Sequence, residues 1–279
     1  MSKKRIIPET NGRVVIKVGT STITHENGRL DLRNLSVLSR VICDLVNSGK
    51  EIVLVTSGAI GVGLGKLGLP PERPDDVSKR QALASIGQCE LMFIYDKLFG
   101  EYNHTVSQVL LTSDVIEDPD RKENVVNTFS KLLEIGVTPI VNENDTVATD
   151  ELVGANIGDN DTLSAYVAKL IDADILILIT DTEGLYDRDP SGSSSKRDAS
   201  GDGKEAKLLH EVHEITPEIE EMAGESRSEV GTGGMATKIA AIKIAREAGI
   251  PGAIISGHDP NALYEFFDGE EIGTYFPCE

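Results

Sequence analysis

The stretch Leu35–Ala59, LSVLSRVICDLVNSGKEIVLVTSGA, decides the fold. Leu35, Leu38, Val41, Ile42, Leu45 and Val46 recur at steps of three and four and trace one apolar helical stripe. Gly49 follows, a residue that tolerates the left-handed geometry of a helix end. Ile52–Val55 is then continuously apolar, which suits a strand covered on both faces rather than one with a wet side. The run closes on small polar residues, Thr56-Ser-Gly-Ala59. Helix, glycine, buried strand and polar turn together make the repeat unit of an α/β protein.

The same unit recurs along the chain. Strands are predicted at Val14–Val18, Val106–Leu111, Val137–Val141, Ile175–Ile179 and Ala253–Ile255. Helical stripes run through about 77–99, 122–135, 160–171 and 234–248, and Gly136 and Gly249 again stand between a helix and a strand. This βαβα rhythm predicts a three-layer αβα sandwich with a mainly parallel central sheet. Ligands of such sheets sit beyond the carboxyl ends of the strands. Here those ends read Lys17-Val-Gly-Thr-Ser21, Thr56-Ser-Gly-Ala59, Asn142-Glu-Asn-Asp145, Thr180-Asp181 and Ser256-Gly257. No shift in composition divides the chain, so one domain over 1–279 is expected. Pro190–Gly203, rich in Ser, Gly and charge, reads as a solvent-exposed excursion or a mobile lid.

Composition narrows the function. With 279 residues, 39% hydrophobic and 26% charged, the chain resembles an ordinary soluble globular protein and is long enough to fold without staples. The longest glycine-free apolar run, Ile175–Ile179, is far short of the roughly 20 residues of a membrane span. The basic N-terminus lacks an apolar segment, so no signal peptide is read and a cytoplasmic location is expected. The formal net charge of −19 disfavours nucleic acid and anionic membranes as partners. Any phosphate-bearing ligand must therefore be met by a few placed lysines and backbone amides. Cys43, Cys89 and Cys278 show no CxxC spacing, which fits a reducing compartment and no zinc site.

Several motifs carry chemistry. Gly63-Leu-Gly-Lys-Leu-Gly68 fits GxGxxG, but the turn glycine after the preceding strand is Gly58, and no acidic residue ends a further strand about 20 residues on, so a dinucleotide site is not expected. No GxxxxGK[ST] string occurs. Gly231-Thr-Gly-Gly-Met-Ala-Thr-Lys238 leads straight into a helix, combining approachable amides, a helix N-terminus and a lysine, and so suits phosphate. Lys17 in the first strand is costly to bury without an anion, unless it snorkels at an edge. Gly158-Asp-Asn-Asp-Thr162 opens a helix, and capping accounts for one of its polar residues. With Asn142–Asp145, that cluster suits a cationic amine, a metal, or the positioning of lysines. His210 and His213, on a helix-like stretch with Glu211 and Glu214, read as a solvated face.

Six segments together resemble the amino acid kinase family, in its glutamate-phosphorylating branch: VVIKVGTS (14–21), IVLVTSGAIGVG (52–63), PIVNENDTVAT (139–149), IGDNDTLSA (157–165), LITDTEGLYDRDP (178–190) and GTGGMATK (231–238). The resemblance implies ATP-dependent phosphorylation of the side-chain carboxylate of L-glutamate, the first step of proline synthesis. It implies Lys17 and Lys238 flanking the transferred group with Asp161 orienting them. Ser57, Asp145 and Asn160 would hold glutamate. Lys17, Thr180, Asp181, Thr232, Gly233, Gly234, Met235, Ala236, Thr237 and Lys238 would hold ATP. It further implies a glutamate-binding half over about 1–170 and an ATP-binding half over about 171–279. Magnesium would accompany ATP through phosphate oxygens and water, with no metal-ligating residue assigned. Proline as feedback inhibitor, functional coupling to glutamate-5-semialdehyde dehydrogenase, and a homodimer or homotetramer also follow from the resemblance. Many members of the branch carry a C-terminal PUA domain, and a chain of 279 residues is expected to lack one. The alternatives are the acetylglutamate, aspartate, carbamate or uridylate kinases of the family, and a non-catalytic sensor of amino acid or nucleotide.

Overall fold

The computed structural model describes residues 12–147, 159–188, 206–225 and 234–278. Its strands are β1 (Arg13–Val18), β2 (Glu51–Val55), β3 (Val106–Leu111), β4 (Thr138–Glu143), β5 (Ile175–Thr180), β6 (Gly252–Ser256) and β7 (Thr274–Phe276). They form one sheet in the order β3-β4-β2-β1-β5-β6-β7. Every pairing is parallel except that of β6 with β7, which is antiparallel. The six expected strands are present within two residues of their expected bounds. β7 escaped the sequence reading because three residues show no usable period.

The helices are α1 (Thr20–Ile23), α2 (Leu32–Asn47), α3 (Ala59–Leu67), α4 (Val77–Gly100), α5 (Ser113–Glu117), α6 (Pro119–Glu134), α7 (Asn160–Leu170), α8 (Pro217–Glu225), α9 (Met235–Glu247) and α10 (Ala262–Phe267). They cover both faces of the sheet. Val15, Val53, Val55, Leu176, Leu178 and Ile254 join one buried cluster with residues of α6, α7 and α9. Val14, Ile16, Val18, Leu54, Ile177 and Ile255 join a second with residues of α2, α4 and α10. Alternate residues of the same strands thus feed opposite clusters, which explains why the strands read as continuous apolar runs. The expected glycines end α2, α6 and α9, with Gly49, Gly136 and Gly249 all at positive φ.

Two sequence features take their meaning here. The GxGxxG string lies within α3 and its C-cap, where a Cβ on Gly63 would meet the Leu83 carbonyl and one on Gly65 the Gly28 carbonyl. These glycines let backbones pack closely and do not form a nucleotide-binding turn. His210 and His213 lie on an irregular segment rather than the helix-like stretch expected. His210 O accepts from Tyr275 N and Val212 N donates to Tyr275 O, so the segment pairs along β7. The 190–203 loop lies outside the described residues. No described helix is long and apolar enough to cross a membrane.

Candidate active site

Several helices start with a side-chain cap and others without one. Asp31, Asp76, Asp118 and Asp159 cap α2, α4, α6 and α7 with their side chains. By contrast, α1, α3 and α9 begin at Gly19, Gly58 and Gly234, with no side-chain cap. Among the described residues no side chain caps the leading amides of α3 and α9, and an N-terminus of that kind suits an outside anion. Gly58 sits at φ 84°, where a Cβ would stand 3.0 Å from Thr20 Cγ2. Glycine is the residue that lets the β2–α3 turn close on the β1–α1 turn.

Asp159 resolves the polar cluster that opens α7. Its carboxylate accepts from the amides of Asp161 and Thr162 and from the Thr162 hydroxyl. Capping is thus complete without Asn160 or Asp161. Asp161, 1% exposed, instead lies between two lysines. Lys17 Nζ is 2.6 Å from its Oδ1, and Lys238 Nζ is 3.3 Å from its Oδ2. Thr237 Oγ1, 2.8 Å from Oδ2, completes the cluster. Lys17 is therefore not an edge lysine reaching for water: it is 6% exposed and Lys238 5%. Burial by itself would raise the Asp161 carboxyl, but the two ammonium charges and the bonds from Lys17 and Thr237 outweigh it and hold it below the usual carboxylate range. Two ammonium groups face one carboxylate, and among the described residues each lysine's ion pair is with Asp161. The cluster has one positive charge in excess, and a buried excess charge favours arrival of an anion.

The expected amino-acid residues gather at the ends of β2 and β4 and the start of α7. Ser57 is buried, with Oγ donating to Val18 O at 2.8 Å. Asn160 Nδ2 donates to Asn142 Oδ1 at 3.1 Å. Asp145, half-buried, has its carboxyl raised by burial, opposed in part by the charge of Arg73. A carboxylate desolvated to that degree suits a cationic ligand.

Of the expected ATP residues, Thr180 is buried at the end of β5 and its hydroxyl lies 3.1 Å from Asp181 Oδ1. Gly234 caps α9, and its carbonyl faces both Thr237 Oγ1 and Lys238 Nζ. Met235 belongs to the buried cluster beneath α9, while Ala236 is exposed. Thr232 and Gly233 lie outside the described residues. Among the described residues no group of three or more His, Cys, Asp or Glu gathers to hold a metal ion.

Sequence reading passed over two members of this region. Gln88 of α4 and Asn142 of β4 are buried and bonded to each other, Asn142 Nδ2 to Gln88 Oε1 at 2.8 Å. Asn142 stood within the polar cluster after β4. Gln88 lies mid-helix, where nothing local marks it.

A parallel sheet with two lysines and a carboxylate at its ligand end defines a class, and the comparisons name it. Residues 12–256 match the amino acid kinase family, and the chain belongs to that family. Two solved structures share the fold at 16% identity. They are an isopentenyl phosphate kinase of T. acidophilum in a product complex (TM-score 0.64, covering 95% of this chain and 99% of that one) and the UMP kinase from Bacillus anthracis (TM-score 0.60, 96% of each).

Nearer relatives carry one particular name. The chain is 52% identical to the glutamate 5-kinase of Clostridium perfringens over 265 residues, covering 95% of this chain and 94% of the relative. It is 49% identical to that of Listeria monocytogenes, covering 95% and 92%. It is 45% identical to that of Lactococcus lactis over 277 residues, covering 99% and 98%.

Proposed function

We propose that this chain transfers the terminal phosphoryl group of ATP to the side-chain carboxylate of L-glutamate, giving ADP and L-glutamate 5-phosphate for proline biosynthesis. The observation that carries the reading is the buried cluster of Lys17, Asp161 and Lys238 with its unbalanced positive charge. The glutamate 5-kinase relatives choose the acceptor within the family.

The chemistry asks little of acids or bases. A glutamate side chain, with a pKa near about 4.3, is already ionised at neutral pH, so no general base is required. A carboxylate oxygen attacks the terminal phosphorus as the bond to ADP breaks, and electrostatic stabilisation of the transferring group dominates such a step. Lys17 and Lys238 flank that group. Asp161 holds both ammonium groups in place and keeps the free site from carrying two unpaired charges. Ser57, Asp145 and Asn160 hold glutamate, with Asp145 taking the α-ammonium. Thr180, Asp181 and the Thr232–Lys238 segment, with Lys17, hold ATP. The amino acid then sits on the half of the chain up to about residue 170 and ATP on the half beyond.

Both Asp161 oxygens are engaged by the lysines and Thr237, and the described residues offer no other carboxylate cluster. Magnesium would arrive with ATP, held chiefly by phosphate oxygens and water. A carboxylate at Asp145 also disfavours N-acetylglutamate, which lacks the positive charge. Proline, which has a cationic amine but no side-chain carboxylate, would compete at the glutamate end.

The test is ADP release from MgATP by purified protein with L-glutamate, N-acetyl-L-glutamate, L-aspartate, carbamate and UMP offered separately. Hydroxylamine traps any acyl phosphate as a hydroxamate. Glutamate-dependent ADP release with hydroxamate is the expected result. Turnover with another acceptor alone would overturn the roles given to Asp145 and Asn160.

A further inference from the structure

Three side-chain amides form a relay across the amino-acid end of the site, and one backbone amide fixes all their orientations. Glu143 N donates to the Asn142 side chain at 2.9 Å, so the atom it meets must be Oδ1. The same oxygen accepts from Asn160 Nδ2 at 3.1 Å, which leaves Asn160 Oδ1 free. Asn142 therefore presents Nδ2 to Gln88, whose Oε1 accepts at 2.8 Å. The Gln88 NH2 group is then one loose end and Asn160 Oδ1, also buried, the other. Gln88 is 8% exposed, and Nε2 has no partner among the described residues. A buried donor left unmade is costly, and in a folded chain it calls for an explanation.

Its position supplies one. Gly87, the residue before Gln88 in α4, lies against the backbone of Ala59 and Gly63 in α3, the helix that begins directly after the Ser57–Gly58 turn. Asn142, its partner, precedes Asp145 by three residues. At the opposite end of the relay, Asn160 adjoins Asp161 and the lysines. An amino acid with its side-chain carboxylate at the lysines and its ammonium at Asp145 has one charged group left, the α-carboxylate.

Building on the glutamate-phosphorylating reading, we propose that Gln88 is a specificity residue of this site, donating from Nε2 to the α-carboxylate of the substrate. The nitrogen is covered in the free chain, so this contact requires a local shift of the side chain or its cover as the substrate seats. The relay holds the amide so that it offers a donor rather than an acceptor. A bond to an ionised acceptor is stronger than one to a neutral carbonyl, so this donor favours a free α-carboxylate over an α-amide or a peptide-linked residue.

Gln88→Glu isolates the donor, because it keeps an oxygen for Asn142 Nδ2 and replaces the amide nitrogen with a second oxygen. Kinetics are measured with L-glutamate and with its α-amide, alongside a melting curve. In Gln88→Glu the KM for L-glutamate should rise about tenfold or more, the scale of a hydrogen bond to a charged group, with the KM for ATP within about twofold. Preference should also shift from glutamate toward the α-amide, whose NH2 the new carboxylate can accept. A merely structural role would not reverse that preference. A folded variant that keeps the wild-type ratio of glutamate to α-amide overturns the proposal, as does a wild type that uses both equally. If Gln88→Glu does not fold, Gln88→Met must narrow the ratio about tenfold, and an unchanged ratio is again refutation. A wild type inactive on L-glutamate overturns the functional reading and this proposal with it. A wild type that uses L-glutamate and its α-amide equally well overturns this proposal alone.

Discussion

Asp161→Asn tests the centre of the site with almost no change of shape. The carboxylate lies 2.6 Å from one ammonium and 3.3 Å from the other and is 1% exposed. With an effective dielectric of about 20, those distances correspond to attractions of roughly 6 and 5 kcal/mol. Much of this offsets the desolvation of three charges, and removing one partner of a buried ion pair costs a net of about 3–5 kcal/mol. For a chain of this size that is a fall in Tm of roughly 5–9 °C. The asparagine oxygen can still accept from Thr237, so the loss is electrostatic. The pH dependence follows from the direction of the Asp161 shift. Its folded pKa is depressed, so the stabilisation is fully present above the unfolded value near about 3.9 and is lost as pH falls through the folded value. The gap between wild type and variant should therefore close in acid, below about pH 4. In the assay, with saturating MgATP and glutamate at a temperature where the variant is folded, kcat should fall about 10²-fold or more, the scale of a lost transition-state contact. The KM for ATP should not rise, because both lysines remain to meet its phosphates. A folded variant with kcat within twofold of wild type, or with an unchanged melting temperature at pH 7, would refute the reasoning.

Four further outcomes are expected. Lys17→Ala and Lys238→Ala should each lower kcat by about 10²-fold or more, and single-turnover phosphoryl transfer separates this from weaker binding. Asp145→Ala should raise the KM for glutamate while leaving that for ATP intact, and equal loss of both would indicate a folding defect instead. Because burial raises the Asp145 carboxyl, the wild-type glutamate KM should climb in acid at a higher pH than an ordinary aspartate gives, and Asp145→Asn should flatten that limb. Gly58→Ala meets both a positive φ and the Thr20 side chain, so it should cost about 1–3 kcal/mol in a denaturant melt and raise the glutamate KM through the displaced Ser57 turn.

The local sequence determined much of this protein. Continuous Val and Ile runs mark strands buried on both faces, because no other setting removes every side chain of a strand from water. Glycines at 49, 136 and 249 mark helix ends because they sit at positive φ. The lysine in β1 and the Gly-rich entry to α9 announce an anion site, because each is costly or purposeless without one. Tertiary structure decided what local pattern cannot encode. Asp159 and Asp161 are chemically alike and two residues apart, yet one caps a helix and the other holds two lysines. Only the path of β1 and α9, which bring Lys17 and Lys238 to the same carboxylate, separates them. The glycines of α3 resemble a nucleotide loop until α4 and the Gly28 turn are packed against them. Gln88 shows no signal at all in its own helix, and it meets Asn142 because its α4 turn faces the end of β4. Periodicity and conformational preference act over a few residues and are legible in order along the chain. Charge pairing and hydrogen-bond satisfaction act across whatever the fold brings together, so the sequence supplies the groups and the packing assigns their roles.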